Sequence, residues 1–242
     1  MRRGAVRGLV QVYAGRKGAQ MSRVSTIAAL LLSAVLALSA VGTYAASCKV
    51  TIPLDGRTAR TGESTLGDFI TDAARTALDA DVALIQAGQL RGDTLPAGEL
   101  DEECMQTALL YPGEPLVLTQ IPGSKVLEAL ETGLSALPQP NSSFLQVSGM
   151  AVTYRGNEAP GHRVVSVTVG AEPLNPTRIY SVAMPSSLAK GAMGYSRVFK
   201  NLKPKPGTAS PSLSEAAVQY VRTHRTVSIT PGQRLQDLSK GK

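Results

Sequence analysis

The 242-residue chain carries 25 basic and 18 acidic side chains, a formal net charge of +7, two histidines and two cysteines. Six of the basic residues, and no acidic ones, lie in residues 1–47, so the rest of the chain is nearly neutral. The excess charge is therefore not a basic stripe across a folded surface, and we expect no nucleic-acid partner.

The first 47 residues have the pattern of an export signal. A basic flank precedes an uncharged stretch, Val24 to Ser47, whose core reads TIAALLLSAVLALSAVG and which ends in small residues. We expect a cleaved signal and an exported protein, periplasmic or extracellular, with Met21 as an alternative start. The stretch is also long enough to span a bilayer, which leaves an uncleaved membrane anchor open.

The two cysteines allow three states. Cys48 directly follows the predicted signal, where it could carry a lipid, although Ala45 is small for a lipidation site. In an oxidising compartment Cys48 and Cys104 could instead form a disulfide, which we slightly favour. Two free thiols are the third alternative.

Residues 48–242 are expected to form one domain. Apolar residues recur every three or four positions over 64–79, which predicts an amphipathic helix capped by Ser64. An apolar run predicts a buried strand over 82–86. A short helix is predicted over 99–109, a strand over 115–121 and an amphipathic helix over 124–136.

The second half of the domain has mainly the two-residue period of strands. Strands are predicted over 144–154, 162–170 and 179–185. A last helix is predicted to begin after Ser212, because Glu215 completes a capping box. Helices and strands mix without strict βαβ alternation, so the predicted fold class is α+β, a mixed sheet with packed helices.

Five stretches in order over residues 60–238 resemble the C-terminal domain of the 5'-nucleotidase family, which includes UDP-sugar hydrolases. These stretches read ESTLGDFITDAA, ADVALIQAGQLRGDTLPAGEL, LVLTQIPGSKVLEALETGL, FLQVSGMAVTY and RVVSVTVGAEPLNPTRIYSVAMPSSLAKGAMGY. The resemblance implies the fold of that domain. It also implies recognition of a nucleotide-type substrate, whereas a separate N-terminal domain of the family holds two metal ions and hydrolyses.

Metal-dependent hydrolysis of that kind needs a set of His, Asp and Asn ligands. His162 and His224 are not in Asp–x–His or Gly–Asn–His patterns, and we expect both to be surface residues. Ser187 and Lys190 have Ser–x–x–Lys spacing, which we interpret as coincidence. The sequence therefore predicts no catalytic residue, no metal ligand and no cofactor.

The resemblance assigns ligand binding first to Arg91, which matches the arginine ending the family's Gly-Gly-Gly-Ile-Arg loop. A planar guanidinium suits a phosphate or carboxylate. The family's second arginine matches Gly62, and Arg60 could replace it. Asp68 stands at a family asparagine, where we expect it to repel an anion. Further loop positions have changed to Gln86, Ala87 and Gln89.

Two aromatic rings sandwich the base in the family. The first position is Pro112 here, beside Tyr111, which could partly compensate. The second is Ser187, and the loop that follows it retains Tyr195 but has Met193 in place of an aspartate. The candidate ligand-binding residues are therefore Arg91, Arg60, Tyr111 and Tyr195.

Three functions follow from this reading. The first is an exported module that binds a nucleotide or another small anion without hydrolysing it. The second is one half of a hydrolase, completed by a metallophosphatase domain on a separate chain. The third is a structural or binding module with a different ligand. Membrane contact is expected only through the N-terminal segment or a lipidated Cys48.

Overall fold

The computed structural model describes residues 47–200 and 202–240. The apolar core of the predicted export signal lies outside these residues, as does the alternative membrane anchor. Within the two described ranges, no helix has both the length and the hydropathy that a membrane span requires.

The described residues contain five α-helices, which include the three long ones that the sequence predicts. They are α1 (Thr65–Ala77), α2 (Glu102–Thr107), α3 (Gly123–Leu134), α4 (Ser186–Ala189) and α5 (Leu213–Thr223). Ser64 caps α1 by accepting a hydrogen bond from the Gly67 amide, and Ser212 and Glu215 form the capping box of α5.

The strands are mostly short, and several have too few residues to show a period in the sequence. They are β1 (Cys48–Val50), β2 (Leu54–Asp55), β3 (Val82–Gln86), β4 (Thr94–Leu95), β5 (Gly98–Leu100), β6 (Leu116–Pro122), β7 (Leu145–Ser148), β8 (Met150–Tyr154), β9 (Val164–Val169), β10 (Glu172–Pro173), β11 (Ile179–Pro185), β12 (Thr226–Val227) and β13 (Leu235–Asp237).

The central sheet has the order β6-β11-β3-β7, and β3 within it is buried along its whole length. β11 runs parallel to β3 and antiparallel to β6, whereas β7 is antiparallel to β3. Helix α1 packs on β3 and β7 through a buried apolar face that includes Phe69 and Ile70. Mixed pairing with packed helices confirms the predicted α+β class.

The predicted strand 144–154 is divided at Gly149 between two sheets. β7 belongs to the central sheet, and β8 belongs to a second sheet of order β10-β9-β8-β13. Gly149 has φ +77°, and a Cβ there would lie 2.2 Å from the Asp81 carbonyl oxygen. Glycine is therefore required at this bend, for its backbone conformation and for the close approach.

The predicted helix over 99–109 is only partly correct. Residues 98–100 form β5, antiparallel to β1, and only Glu102–Thr107 is helical. Pairing with a strand some 50 residues earlier overrides the local helical pattern.

Both cysteines are free in the structure, contrary to the disulfide that we favoured. Cys48 is completely buried in β1, and burial raises the pKa of its thiol. A lipid chain on this sulfur would have to leave the core, so the structure does not favour lipidation.

Candidate functional site

The candidate site is the elbow, residues 86–92, where β3 ends and a 3-10 turn begins. The amides of Ala87 and Gly88 donate to the carbonyls of Phe144 and Ser142 at 2.8 and 2.9 Å. On the other side, the Arg91 amide donates to the Ala108 carbonyl at 3.0 Å. Backbone hydrogen bonds to two other segments of the chain therefore fix the elbow.

Arg91 and Arg60 lie in the two segments that meet at this elbow. A cavity of about 190 Å³ is lined by Arg60 and neighbouring loop residues on one side and by Ala87, Leu90 and Gly92 on the other. A Cβ on Gly56 would lie 2.2 Å from the Arg91 carbonyl oxygen, so glycine permits this close approach. The structure thus brings Arg60 to the loop that carries Arg91.

Neither arginine has an acidic partner. Both side chains are exposed, and no described carboxylate lies within 4.0 Å of either guanidinium. The second arginine on the cavity wall, Arg57, is instead paired with Asp55 at 2.6 Å. Arg60 on the cavity wall and Arg91 in the adjoining loop therefore have guanidiniums free of described acidic partners, the type of group that binds a phosphate or a carboxylate.

Two buried glutamines at the elbow have unpartnered amide atoms. Gln86 is completely buried, and neither its Oε1 nor its Nε2 has a hydrogen-bond partner among the described residues. Gln89 is 2% exposed and its Oε1 also lacks one. An unpartnered buried polar group costs about 1 to 3 kcal/mol. The resemblance marks these positions only as losses from the family loop, and their free amides could not be foreseen from residue type.

The predicted ring of Tyr111 lies on the flank of the elbow. Tyr111 is 56% exposed and follows Leu110, whose amide donates to the Gln89 carbonyl at 2.8 Å. Leu110 is itself 39% exposed. An exposed aromatic beside the turn is available to stack on a planar ligand.

Tyr195 has a different position from the one expected of a ligand-binding ring. Its side chain is completely buried and stacks on Phe199, with 5.8 Å between ring centroids. Its hydroxyl donates to the Ser143 carbonyl at 2.6 Å. Burial leaves no face of the ring for a ligand, so the contacts of Tyr195 are those of a core residue.

Met193 covers part of the elbow. Its backbone has φ +54°, and the Ser143 hydroxyl donates to its carbonyl at 2.7 Å. A Cβ on Gly88 would lie 2.9 Å from the Met193 Cε. The thioether therefore lies in contact with the turn, where a ligand would otherwise meet the Gly88 backbone.

Asp68 belongs to a buried ionic network, which we define as Glu63, Asp68, Asp72 and Arg234. Arg234 makes two hydrogen bonds to the Asp72 carboxylate at 3.0 and 2.8 Å, and its Nε lies 3.4 Å from Asp68 Oδ1. Glu63 accepts hydrogen bonds from the amides of residues 232–235. The network therefore fastens the C-terminal segment to helix α1.

The surroundings of Asp68 shift the pKa of its carboxyl group. Burial raises the pKa of this carboxyl group to about 8; Arg234 opposes the rise, while Glu63 and Asp72 add to it. The side chain of Asp68 is 1% exposed, so it has no direct access to a ligand at the surface. The predicted repulsion of an anion stays a prediction.

The residues considered for catalysis are dispersed. His162 is exposed, and His224 Nδ1 lies 2.9 Å from the Tyr220 carbonyl oxygen. Ser187 and Lys190 have no side-chain hydrogen bond to each other. Among residues 47–200 and 202–240, no group of three or more His, Cys, Asp or Glu could hold a metal ion.

Comparison with solved structures identifies the fold. The 5'-nucleotidase precursor from Thermus thermophilus superposes with a TM-score of 0.71 and 26% identity, covering 86% of this chain and 42% of that one. The NAD nucleotidase of Haemophilus influenzae gives a TM-score of 0.66 at 18% identity, covering 86% of this chain and 40% of that one.

Curated relatives show the same pattern of partial coverage. A trifunctional nucleotide phosphoesterase of Bacillus subtilis is 31% identical over 60% of this chain and 10% of its own length. An apyrase of Anopheles gambiae is 30% identical over 73% of this chain and 32% of its own length. The chain thus spans a third or less of these relatives.

The model of the 5'-nucleotidase C-terminal domain matches residues 40–201, which include the elbow, Arg60 and Tyr111. The ionic network extends beyond this match through Arg234. Family model, relatives and superposed structures agree with the motifs described above, and the chain belongs to the 5'-nucleotidase family through its C-terminal domain.

Proposed function

We propose that this chain recognises a nucleotide-type ligand at the elbow and does not hydrolyse it alone. The observation that carries the proposal is that Arg60 lines the elbow cavity without an acidic partner among the described residues. Arg91, which is exposed and also has no described acidic partner, lies in the adjoining loop. Anionic groups of the ligand bind there, since charge-assisted hydrogen bonds are the stronger class.

The uncharged part of the ligand lies along the elbow. Tyr111, which is 56% exposed beside the elbow, offers a ring for stacking. Stacking of a base on one ring contributes roughly 1 to 3 kcal/mol in single-strand nucleic-acid binders. Since Met193 lies on Gly88, its thioether must move aside for a base that reaches the turn.

The test is binding of AMP, UMP and UDP-glucose to the full chain, measured by calorimetry without metal. We expect Arg91→Gln and Arg60→Gln each to weaken binding roughly tenfold or more, because each removes a charge-assisted contact. Arg155→Gln, at another exposed arginine, is the matched control and should bind like the wild type. Equal affinity of Arg91→Gln and wild type would refute the elbow as the site.

Hydrolysis is tested on the same samples with manganese, magnesium and cobalt. We expect no turnover above background. Turnover by the wild type that disappears in Arg91→Gln would overturn the non-catalytic part of the proposal while retaining the site.

A second candidate is the recognition half of a two-chain hydrolase. It is supported by the resemblance to the family, in which a separate N-terminal domain holds the two metal ions and hydrolyses the substrate. Mixing the chain with a separately produced metallophosphatase domain should then raise nucleotide hydrolysis above that of the domain alone. An unchanged rate at saturating concentrations of both chains counts against this candidate.

We also propose that the protein is exported, on the basis of the uncharged stretch after the basic N-terminal flank. Mass spectrometry of the mature N-terminus in cell fractions tests this. A species beginning near Cys48 outside the cytoplasm is expected, whereas an intact N-terminus confined to the cytoplasm would contradict it.

A further inference from the structure

A second candidate site lies at the other end of β3, before its first residue. An open groove of about 760 Å³ is bounded by the end of α1, the bend at Gly149, the end of β9 and residues 228–234. Its lining is mainly polar, and it shares no residue with the cavity at the elbow.

Four charged residues line this groove, and two of them already have partners. Arg234 is bound to Asp72 within the ionic network. Asp81 Oδ2 accepts hydrogen bonds from the Ser181 amide and hydroxyl, both at 2.8 Å. The other two, Arg75 and Arg178, have no described carboxylate within 4.0 Å of their guanidiniums.

Arg75 is held in place although it has no ion-pair partner. Its side chain is half-buried, and its Nε donates to the Ser148 hydroxyl at 2.9 Å. Ser148 in turn donates to Asp72. These contacts use the inner nitrogen of Arg75, so its two terminal nitrogens remain available to a ligand, and little side-chain freedom is left to lose on binding.

Arg178 and three neutral residues complete the groove. The guanidinium carbon of Arg178 lies 5.0 Å from the centroid of the Tyr180 ring, which orients its plane. Ser228 accepts a hydrogen bond from the Thr51 hydroxyl at 3.3 Å and keeps its own proton for another acceptor. Thr230 and Gln233, both exposed, add further donors.

We propose that this groove binds a small oxyanion, a phosphate or a carboxylate, between Arg75 and Arg178. Two oriented guanidiniums present paired N–H donors, which match the two oxygens of either group. The carboxylate that lines the groove belongs to Asp81, which has no described cationic partner. Its hydrogen bonds to Ser181 direct one carboxylate oxygen away from an incoming anion. This site is independent of ligand binding at the elbow.

The experiment is calorimetric titration of the full chain with inorganic phosphate, pyrophosphate and malonate at low salt. We expect saturable binding of at least one probe, which weakens as salt rises from about 50 to 500 mM because screening shortens the range of the charges. Comparison of the phosphate and malonate arms decides between the two anion classes.

Arg75→Gln and Arg178→Gln should each weaken that binding roughly tenfold, and the double variant should abolish it. Arg155→Gln, at an exposed arginine outside both sites, is the control that should bind the probes like the wild type. Since Arg75 takes part in internal contacts, circular dichroism and thermal melting establish that its variant is folded, and Arg178→Gln tests the exposed side independently.

Absence of saturable binding by the wild type would overturn the proposal, as would unchanged affinity in the folded double variant. Loss of all probe binding in Arg91→Gln alone would assign the anion to the elbow and also overturn it. Failure of nucleotides to bind at the elbow, with the groove results as expected, would refute only the proposed function.

Discussion

Gln146 and Gln86 lie on the adjacent strands β7 and β3, and both are completely buried. Gln146 Nε2 donates to the carbonyls of Ala59 and Gly62 at 2.8 Å, and its Oε1 accepts from Ser64. Gln86 has no partner for either amide atom within the described residues. The same residue type is therefore fully hydrogen-bonded in one place and unpartnered in the other.

The arginines repeat this contrast. Arg234 is surrounded by carboxylates and carbonyls of the fold, whereas Arg91 is exposed without an ion pair. Buried polar groups are stable only when they are partnered, so the Gln146 and Arg234 side of the molecule contributes to folding. At the elbow, by contrast, the Gln86 amide has no hydrogen-bond partner and Arg91 has no ion-pair partner among the described residues.

Among the substitutions that test this contrast, Arg234→Met should cause the largest loss of stability. It leaves Asp72 half-buried without its cation, and we expect a loss of about 3 to 5 kcal/mol in the free energy of unfolding. Urea denaturation measures it. Arg91→Gln is the matched substitution of an exposed arginine and should lower the free energy of unfolding by less than about 0.5 kcal/mol. Similar losses in both variants would contradict the different roles of the two arginines.

Gln146→Met should be the next largest effect. It keeps the side-chain volume but leaves two carbonyls and the Ser64 donors without partners, which costs about 2 to 3 kcal/mol. Comparison of urea midpoints with the wild type measures the change. A neutral result would show that water replaces the Gln146 amide at no cost.

Asp68→Asn should change how stability depends on pH. The folded-state pKa of about 8 lies above the ordinary value of 3.8. The stability that comes from retaining this proton is fully present below pH 4 and is lost as the pH rises toward 8.

The asparagine variant removes that titration, so we expect its stability to rise relative to that of the wild type as the pH increases from 4 to 8. Thermal or urea unfolding at several pH values measures the difference. Parallel pH profiles of variant and wild type would contradict the raised pKa.

Gln86→Met should have the smallest effect on stability. Since the amide has no partner, its replacement by a residue of similar volume should change the free energy of unfolding by less than about 1 kcal/mol, or increase it. A loss comparable to that of Gln146→Met would show that the Gln86 amide is partnered by the fold.

Local signals in the sequence were sufficient for the long elements. The Ser64 cap, the apolar face of α1 and the capping box of α5 all involve residues within a few positions of each other, and each is confirmed. Short strands such as β5 depend on distant partners and could not be predicted in this way.

The candidate site, like the fold, could be predicted from the sequence only in part. The resemblance located Arg91, and the structure places Arg60 beside the same elbow. Burial of Tyr195 could not be derived from its spacing, because a tyrosine after a glycine turn suits a surface and a core equally. The role of Arg234 was missed because it is a single arginine in a loop, more than 160 positions from Asp68 and Asp72.

Parallel pairing of β1 with β12 has a consequence for synthesis on the ribosome. β1 emerges early, but one of its two neighbours is translated more than 170 residues later, and β13 completes the second sheet later still. The nascent domain therefore keeps unpaired strand edges until translation has passed Asp237. A stop codon between β11 and β12 should yield a product that chaperones retain and proteases degrade, even though every residue of the elbow is present.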